Sequence, residues 1–375
     1  MKIQMVDLRS QYEKIKTEID TAILEVIQSS AFIKGQKVNE FEIALATFLN
    51  VKHVISCGNG TDAIQIALMA LGLKAGDEVI IPTFTYVATA EVVALLGLKP
   101  LLVDVNPDTF CIDICQIEAK ISPNTKAIIP VHLFGQCANM EEILLIAKKY
   151  YLFVVEDAAQ AIGAQYTFKN GSTAFAGCIG DIGTTSFFPS KNLGCFGDGG
   201  AIMTNSDELA EKIRMICNHG QKVQYYHDCV GVNSRLDTIQ ASILLAKLPH
   251  LNSYTAARQK AANYYNELLK DNGDIICPFI GNNSTHVFHQ YTIKLTGKLG
   301  SNRNLLKEFL KERGIPTMVY YPLCVHQQRA YKNWYNETDN FSISNNLVNQ
   351  VLSLPMHSNL LETQQKYIVD NILEF

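Results

Sequence analysis

Lys191 is a lone cation in the run Ser186-Phe187-Phe188-Pro189-Ser190-Lys191-Asn192-Leu193-Gly194. Desolvation by Phe187, Phe188, Pro189 and Leu193 lowers the pKa of its amine and leaves the neutral form that condenses with a carbonyl. A solvated surface lysine is the plain alternative. Upstream, the apolar run FVVE ends in Glu156-Asp157-Ala158-Ala159-Gln160. Strand alternation sends Glu156 and Asp157 to opposite faces, so Asp157 either faces a cleft or caps a helix. Gly58-Asn59-Gly60-Thr61-Asp62 opens a helix with bare N–H groups and a helix dipole that suit an anion. It also reads as an ordinary glycine turn with Thr61 or Asp62 as the N-cap. Tyr86, in Pro82-Thr83-Phe84-Thr85-Tyr86, supplies a ring for stacking or for core packing.

Taken together, an anion cradle, a ring stacker, a buried carboxylate and an activated lysine are what pyridoxal phosphate requires. Its phosphate, its ring, its protonated pyridine nitrogen and its aldehyde each need one of the four. The glycines lack the third member of a dinucleotide fingerprint, which argues against NAD.

These residues must be positioned by strands and helices. From about residue 53 to 205, apolar β-branched runs alternate with helical patterns, which predicts a mostly parallel sheet of about seven strands covered by helices. The strands are expected at 53–56, 78–81, 100–105, 126–131, 153–156, 184–188 and 200–204, with helices at 62–71, 88–96, 140–150 and 207–218 between them. Ligands bind beyond the carboxyl ends of such strands, where all four features fall. Further helices are expected at about 237–248 and 253–272, with the domain boundary at about residue 250. A large cofactor-binding domain over 1–250 would then precede a smaller α+β domain over 251–375. In the latter the pattern predicts a strand at 290–295, a helix at 302–313, a strand at 316–321 and a last helix from 363, with 334–346 as a surface loop.

The motifs CGNGTDAIQIAL, PTFTYVATAE, VEDAAQAIGA, TSFFPSKNLGCFGDGGAI, HGQ, GVNSRLDTIQAS, YYPL and LSLPMH occur in order along nearly the whole chain. In this the sequence resembles the DegT/DnrJ/EryC1/StrS nucleotide-sugar aminotransferases. The resemblance implies the fold-type-I, aspartate-aminotransferase-like α/β architecture. It also implies a homodimer whose active sites form at the subunit interface. By motif, Lys191 would be the Schiff-base lysine and Asp157 the partner of the pyridine nitrogen. Gln160 would lie near the 3-hydroxyl and Tyr86 on the ring. Gly60, Thr61 and Ser186 would hold the phosphate, joined by Asn233 of the other subunit. Arg235, Tyr320, Tyr321 and His357 would touch substrate. Lysine rather than histidine at 191 favours transamination over dehydration.

Among its members the chain looks most like those that aminate C3 of UDP-2-acetamido-2-deoxy-3-oxo-glucuronate, with L-glutamate as donor and pyridoxamine phosphate as the intermediate cofactor form. That is a step toward surface polysaccharides. Where such relatives commonly carry His-Tyr-Pro, this chain has Tyr320-Tyr321-Pro322. His132 is shared with relatives acting on dTDP-3-oxo-6-deoxyhexoses, which are the alternative substrates; a sugar dehydratase on the same fold is another. Arg235 suits a sugar carboxylate, or equally a subunit or nucleotide contact.

The whole-chain numbers fit a globular enzyme. Its 375 residues are 47% hydrophobic and 18% charged, and 32 Lys and Arg against 36 Asp and Glu leave a net charge of −4. Nothing in that balance attracts nucleic acid or an anionic membrane. The ten cysteines show no zinc spacing and the first twenty residues no apolar run of a signal peptide, so no metal site and a cytoplasmic location with reduced thiols are expected.

Overall fold

Short β-branched runs fill one sheet because each is apolar on both faces and must be covered on both. The computed structural model describes residues 3–332, 334–335 and 339–375. Its main sheet holds β1 (His53–Cys57), β2 (Glu78–Pro82), β3 (Lys99–Val103), β4 (Thr125–Ile128), β5 (Phe153–Asp157), β8 (Ile182–Ser186) and β9 (Gly200–Thr204). A side hairpin supplies β6 (Gln165–Thr167) and β7 (Thr173–Phe175). The seven-stranded order is β1-β9-β8-β5-β4-β2-β3. Only β9 runs against the rest, pairing antiparallel with both β1 and β8. The expected seven strands and mostly parallel sheet are therefore present, and the carboxyl ends of β1, β2, β5 and β8 share one edge.

Helices Gly60–Ala70, Ala88–Leu95, Ile114–Lys120 and Met140–Tyr150 form the crossovers, and Asp207–Ile216 follows the last strand of the sheet. One core cluster packs Ile64, Ala67 and Leu68 against Ile55, Ile81, Val155 and Ile202, all nearly or fully buried. Ile202→Ala would cost roughly 2–5 kcal/mol, because so tight a site relaxes little. On the opposite face Ile80, Ile128 and Val154 pack on Met140 and Ile143. Three N-terminal helices that the pattern reading omitted, Leu8–Lys14, Lys16–Ser29 and Gln36–Leu49, come first. The second and third pack against helix Thr238–Lys247. That helix ends in a 3-10 turn at Pro249, and helix Leu251–Leu269 follows it directly.

Beyond the main sheet lie the exposed ribbon β10 (Gln221–Val223) and β11 (Tyr226–His227), then the antiparallel trio β12 (Ile275–Ile276), β13 (Tyr291–Leu295) and β14 (Val351–Leu354). A separate cluster there joins Tyr265, Tyr291, Leu306, Leu352 and Ile368, and Ile3 of the N-terminal segment is part of it. The strand expected at 316–321 does not form: that stretch makes one isolated bridge, Met318 with Ser353. Its two tyrosines turn their side chains into the site instead, as described below. The loop expected at 334–346 is also corrected in part, since helix Ser342–Gln350 begins inside it. The N–H groups of Ile343 and Ser344 donate to the buried Asp104 carboxylate, a cap supplied from far away in sequence. Residues 333 and 336–338 of that loop lie outside the described residues.

Candidate active site

The cradle after β1 is built by tight backbone approach. Helix Gly60–Ala70 is capped by Asn59, whose side chain accepts from Asp62 N at 2.8 Å, so neither Thr61 nor Asp62 is the cap. A Cβ on Gly60 would lie 2.8 Å from Ser186 Cβ, and one on Gly200 would lie 2.4 Å from the Asn59 carbonyl oxygen. Glycine at both positions is what brings the helix N-terminus, Thr61 and Ser186 onto one patch. That patch suits a phosphate.

Strand β5 sends its two acids apart, as alternation requires. Glu156 is fully buried on the far face, where it accepts from the N–H groups of Gly177, Ile179 and Gly180 at 2.9, 2.6 and 2.6 Å. His132 donates to it through Nε2 at 2.8 Å while its Nδ1 accepts from Ala138 N. His132 is thus committed to the core and does not help choose a sugar. Asp157 faces the cleft. Its Oδ2 accepts from Thr89 Oγ1 at 2.8 Å and its Oδ1 from Ala159 N at 3.1 Å, and it opens a turn rather than a helix.

Lys191 sits half-buried in the loop after β8. Burial pulls its pKa down to about 8, against the opposing pull of Asp157. Of the four residues expected to desolvate it, Phe187 and Leu193 are fully buried, but Phe188 is 52% exposed and turns outward. Gln160 is held at both ends: Phe134 N donates to its Oε1 at 2.8 Å, and its Nε2 donates to the Tyr321 hydroxyl at 3.0 Å. Burial raises the Tyr321 pKa, with Asp157 adding to the effect. The Tyr321 ring lies 6.1 Å from that of Tyr86, which is largely exposed at the mouth. Burial raises the Tyr320 pKa, and Gln290 opposes the rise.

Lys191, Asp157, Gln160, Tyr321 and Tyr86 therefore converge, with Gly60, Thr61 and Ser186 forming the adjoining cradle. Three other expected residues lie elsewhere on this chain. Asn233 is exposed, while its neighbour Ser234 turns inward, accepting from Gly58 N at 2.8 Å and donating to Asp62 at 2.6 Å. Arg235 lines a cavity of about 290 Å³ with Lys34, Asn39, Glu42 and Arg214. His357 lines a pocket with Gln4, Asp7 and Arg9, none of them a cleft residue, and burial brings its pKa down to about 4.

Sequence reasoning missed Thr89, His289 and Gln290. His289 is buried and feels the charge of Lys191, and burial holds its pKa far below the usual imidazole range. Its Nδ1 and the Gln290 Oε1 have no partner within the described protein. Buried orphan acceptors beside a desolvated amine fit a site shaped for a further polar group. Thr89 lies within the motif PTFTYVATAE, but its bond to Asp157 appears only once β5 is placed against helix Ala88–Leu95.

The DegT/DnrJ/EryC1/StrS aminotransferase family model matches residues 13–373. A protein of Geobacillus stearothermophilus named a pleiotropic regulatory protein is 49% identical over 380 residues, covering 100% of this chain and 99% of its own. The UDP-2-acetamido-2-deoxy-3-oxo-D-glucuronate aminotransferase of Pseudomonas aeruginosa is 49% identical over 355 residues, covering 95% of each. The crystal structure of DesV of S. venezuelae in complex with a ketimine intermediate superposes with a TM-score of 0.94 at 36% identity, over 100% of this chain and 98% of that one. No helix among the described residues is long and apolar enough to cross a membrane. The fold is that of fold-type-I pyridoxal-phosphate enzymes, and the chain belongs to the DegT/DnrJ/EryC1/StrS family as a pyridoxal-phosphate-dependent aminotransferase.

Proposed function

We propose that this protein transfers the amino group of L-glutamate to C3 of a nucleotide-linked 3-oxo sugar, UDP-2-acetamido-2-deoxy-3-oxo-glucuronate, for surface polysaccharide biosynthesis in the cytoplasm. The observation that carries the aminotransferase chemistry is the desolvated Lys191 amine beside the cleft-facing Asp157. The substrate reading rests on the relative of that name, at 49% identity over 95% of both chains. A purely regulatory protein needs no amine held near neutrality by burial.

The groups of this chain divide the work. The cradle at Gly60, Thr61 and Ser186 would hold the cofactor's phosphate, and Tyr86, at the mouth, would lie against its ring. Asp157, oriented by Thr89 and Ala159 N, places a negative charge where a pyridinium nitrogen needs one, and Gln160 lies ready for the 3-hydroxyl. When bound, the cofactor supplies the electron sink for the carbon that loses its proton. Lys191 Nζ would hold the cofactor's aldehyde and could take up and return a proton, a role for which a pKa near the working pH is suited.

The other half of the site is read as coming from a second copy. Ser234 anchors its segment to its own cradle while Asn233 is exposed, so Asn233 would be placed to meet the phosphate of a second copy. Tyr225, Tyr226 and Val230, in and beside the ribbon, present apolar surface that a homodimer would bury. Arg235 would meet the sugar carboxylate, with Tyr320 and Tyr321 near the sugar ring, while the pocket of His357 lies apart from the cleft. Residues 1–250 and 251–375 are taken as the large and small domains.

The test runs the reaction backward. Purified protein loaded with pyridoxal phosphate, supplied with the UDP-linked 3-amino-uronate and 2-oxoglutarate, should release glutamate. A marked preference for the corresponding sugar with a neutral C6, or for a dTDP-deoxyhexose, would overturn the substrate assignment.

A further inference from the structure

Lys247 is a second buried lysine that the reaction does not use. It closes helix Thr238–Lys247, is 2% exposed, and its Nζ donates to the carbonyl oxygen of Gly194 at 2.6 Å while lying 4.7 Å from the centre of the Phe196 ring. No carboxylate pairs with it among the described residues, and burial brings its pKa down to about 8. Burying an ammonium without a countercharge is costly, and a methionine would fill the same space without that cost. What only the amine provides is the hydrogen bond to Gly194.

That bond falls on the loop that carries Lys191. A Cβ on Gly194 would lie 2.4 Å from the Pro189 carbonyl oxygen, so residues 189–194 close on themselves as a tight ring with Lys191 inside it. Lys191 N donates to Phe188 O at 2.8 Å and Cys195 N to Phe187 O at 2.9 Å across the same ring. Gln240, two turns before Lys247 on the same helix face, accepts from Phe196 N at 2.8 Å. On the opposite side Asn192 donates to Val287 O at 2.9 Å. The ring is therefore held from outside at Asn192, Gly194 and Phe196.

We propose that Lys247 is a positioning residue, which fixes the Lys191 loop by holding the Gly194 carbonyl. The inference rests on Lys191 being the reacting amine, but its first test needs no cofactor and no turnover. In cofactor-free protein, amide hydrogen exchange over residues 188–197 should become about tenfold faster in Lys247→Met, with the main sheet unchanged, as loss of one charge-assisted bond implies. Lys247→Arg keeps a donor and should restore most of the protection. In loaded enzyme kcat should fall about tenfold in Lys247→Met, with the KM for nucleotide sugar changed less than twofold. Wild-type exchange in the Met variant overturns the proposal, as does loosening in the Arg variant equal to that in Met. Should the Met variant not fold, the Arg variant and Gln240→Leu decide it by the same exchange: a protected loop in the first with local loosening at Phe196 in the second supports the clamp, and an unprotected loop in the first overturns it. Faster exchange over residues 188–197 with unaltered turnover would bear on the reaction assigned to Lys191, not on the clamp.

Discussion

At the sheet edge the polar groups of the cleft are already held by their own chain. Asp157 accepts two bonds, Gln160 is tied between Phe134 and Tyr321, and Lys191 rides on a loop braced from several sides. Along residues 219–235 the reverse holds. Tyr225 and Val230 are 81% and 84% exposed, Asn233 is exposed, and Arg235 pairs with no carboxylate among the described residues. Preorganised donors act strongly because they need not reorganise during reaction, so the first region is built for chemistry. A stretch of apolar surface with unpaired polar groups is what a binding or subunit contact leaves on a lone chain. Substitutions in the first region should therefore change rate, and those in the second should change affinity or assembly.

The sharpest break is at Lys191. Lys191→Ala should fold and still bind cofactor non-covalently, with turnover reduced about 10,000-fold, the upper range for loss of a general acid–base. Borohydride reduction and peptide mass mapping of the wild type should place the label on Lys191 and on no other lysine.

Asp157→Asn keeps the shape of the side chain and removes its charge. Turnover should drop on the order of 100-fold with cofactor still bound. Near-normal rates would reduce Asp157 to a turn residue.

On the other side of the comparison, Arg235→Gln should raise the KM for the 3-oxo-uronate roughly 10- to 150-fold, and much less for the matching sugar with a neutral C6. Equal losses on both would remove Arg235 as the carboxylate reader.

The smallest effect concerns pH. Because burial brings the Lys191 pKa down to about 8, its deprotonated fraction rises with pH through that value, below the 10.5 of a free lysine. In cofactor-free protein the rate of acylation of Lys191 should therefore rise with a midpoint near pH 8 and level off about a unit or more above it. In Asp157→Asn the plateau should come at lower pH, since the carboxylate was raising the pKa. A midpoint near that of exposed lysines would contradict the desolvated site.

Much of the first region was legible in the sequence. The apolar runs that become β1, β2, β5 and β8 are short and bounded, and the residues just after them are what the cleft contains. Strand alternation alone separated Glu156 from Asp157. The misses have physical causes. β14, with the sequence VLSL, is buried throughout and has no alternation to distinguish it from a helix turn. Residues 316–321 read as a strand, but Tyr321 engages Gln160 with its side chain and the backbone pairs only at Met318. Helix Ser342–Gln350 is polar and depends on Asp104, more than two hundred positions away. Thr89, His289 and Lys247 act through contacts that no local pattern encodes.

The composite nature of the site is tested most directly by mixing Lys191→Ala, which lacks the reacting amine, with Asn233→Ala, whose cofactor affinity should fall, at a cofactor concentration where neither turns over alone and under conditions where subunits exchange. Each hybrid dimer would hold one site with Lys191 from one copy and Asn233 from the other, both intact. With random exchange of equal amounts, about a quarter of wild-type activity should return, since half the dimers are hybrids and each has one working site. No recovery, with exchange demonstrated by a mass-tagged subunit, would contradict a site shared between two copies.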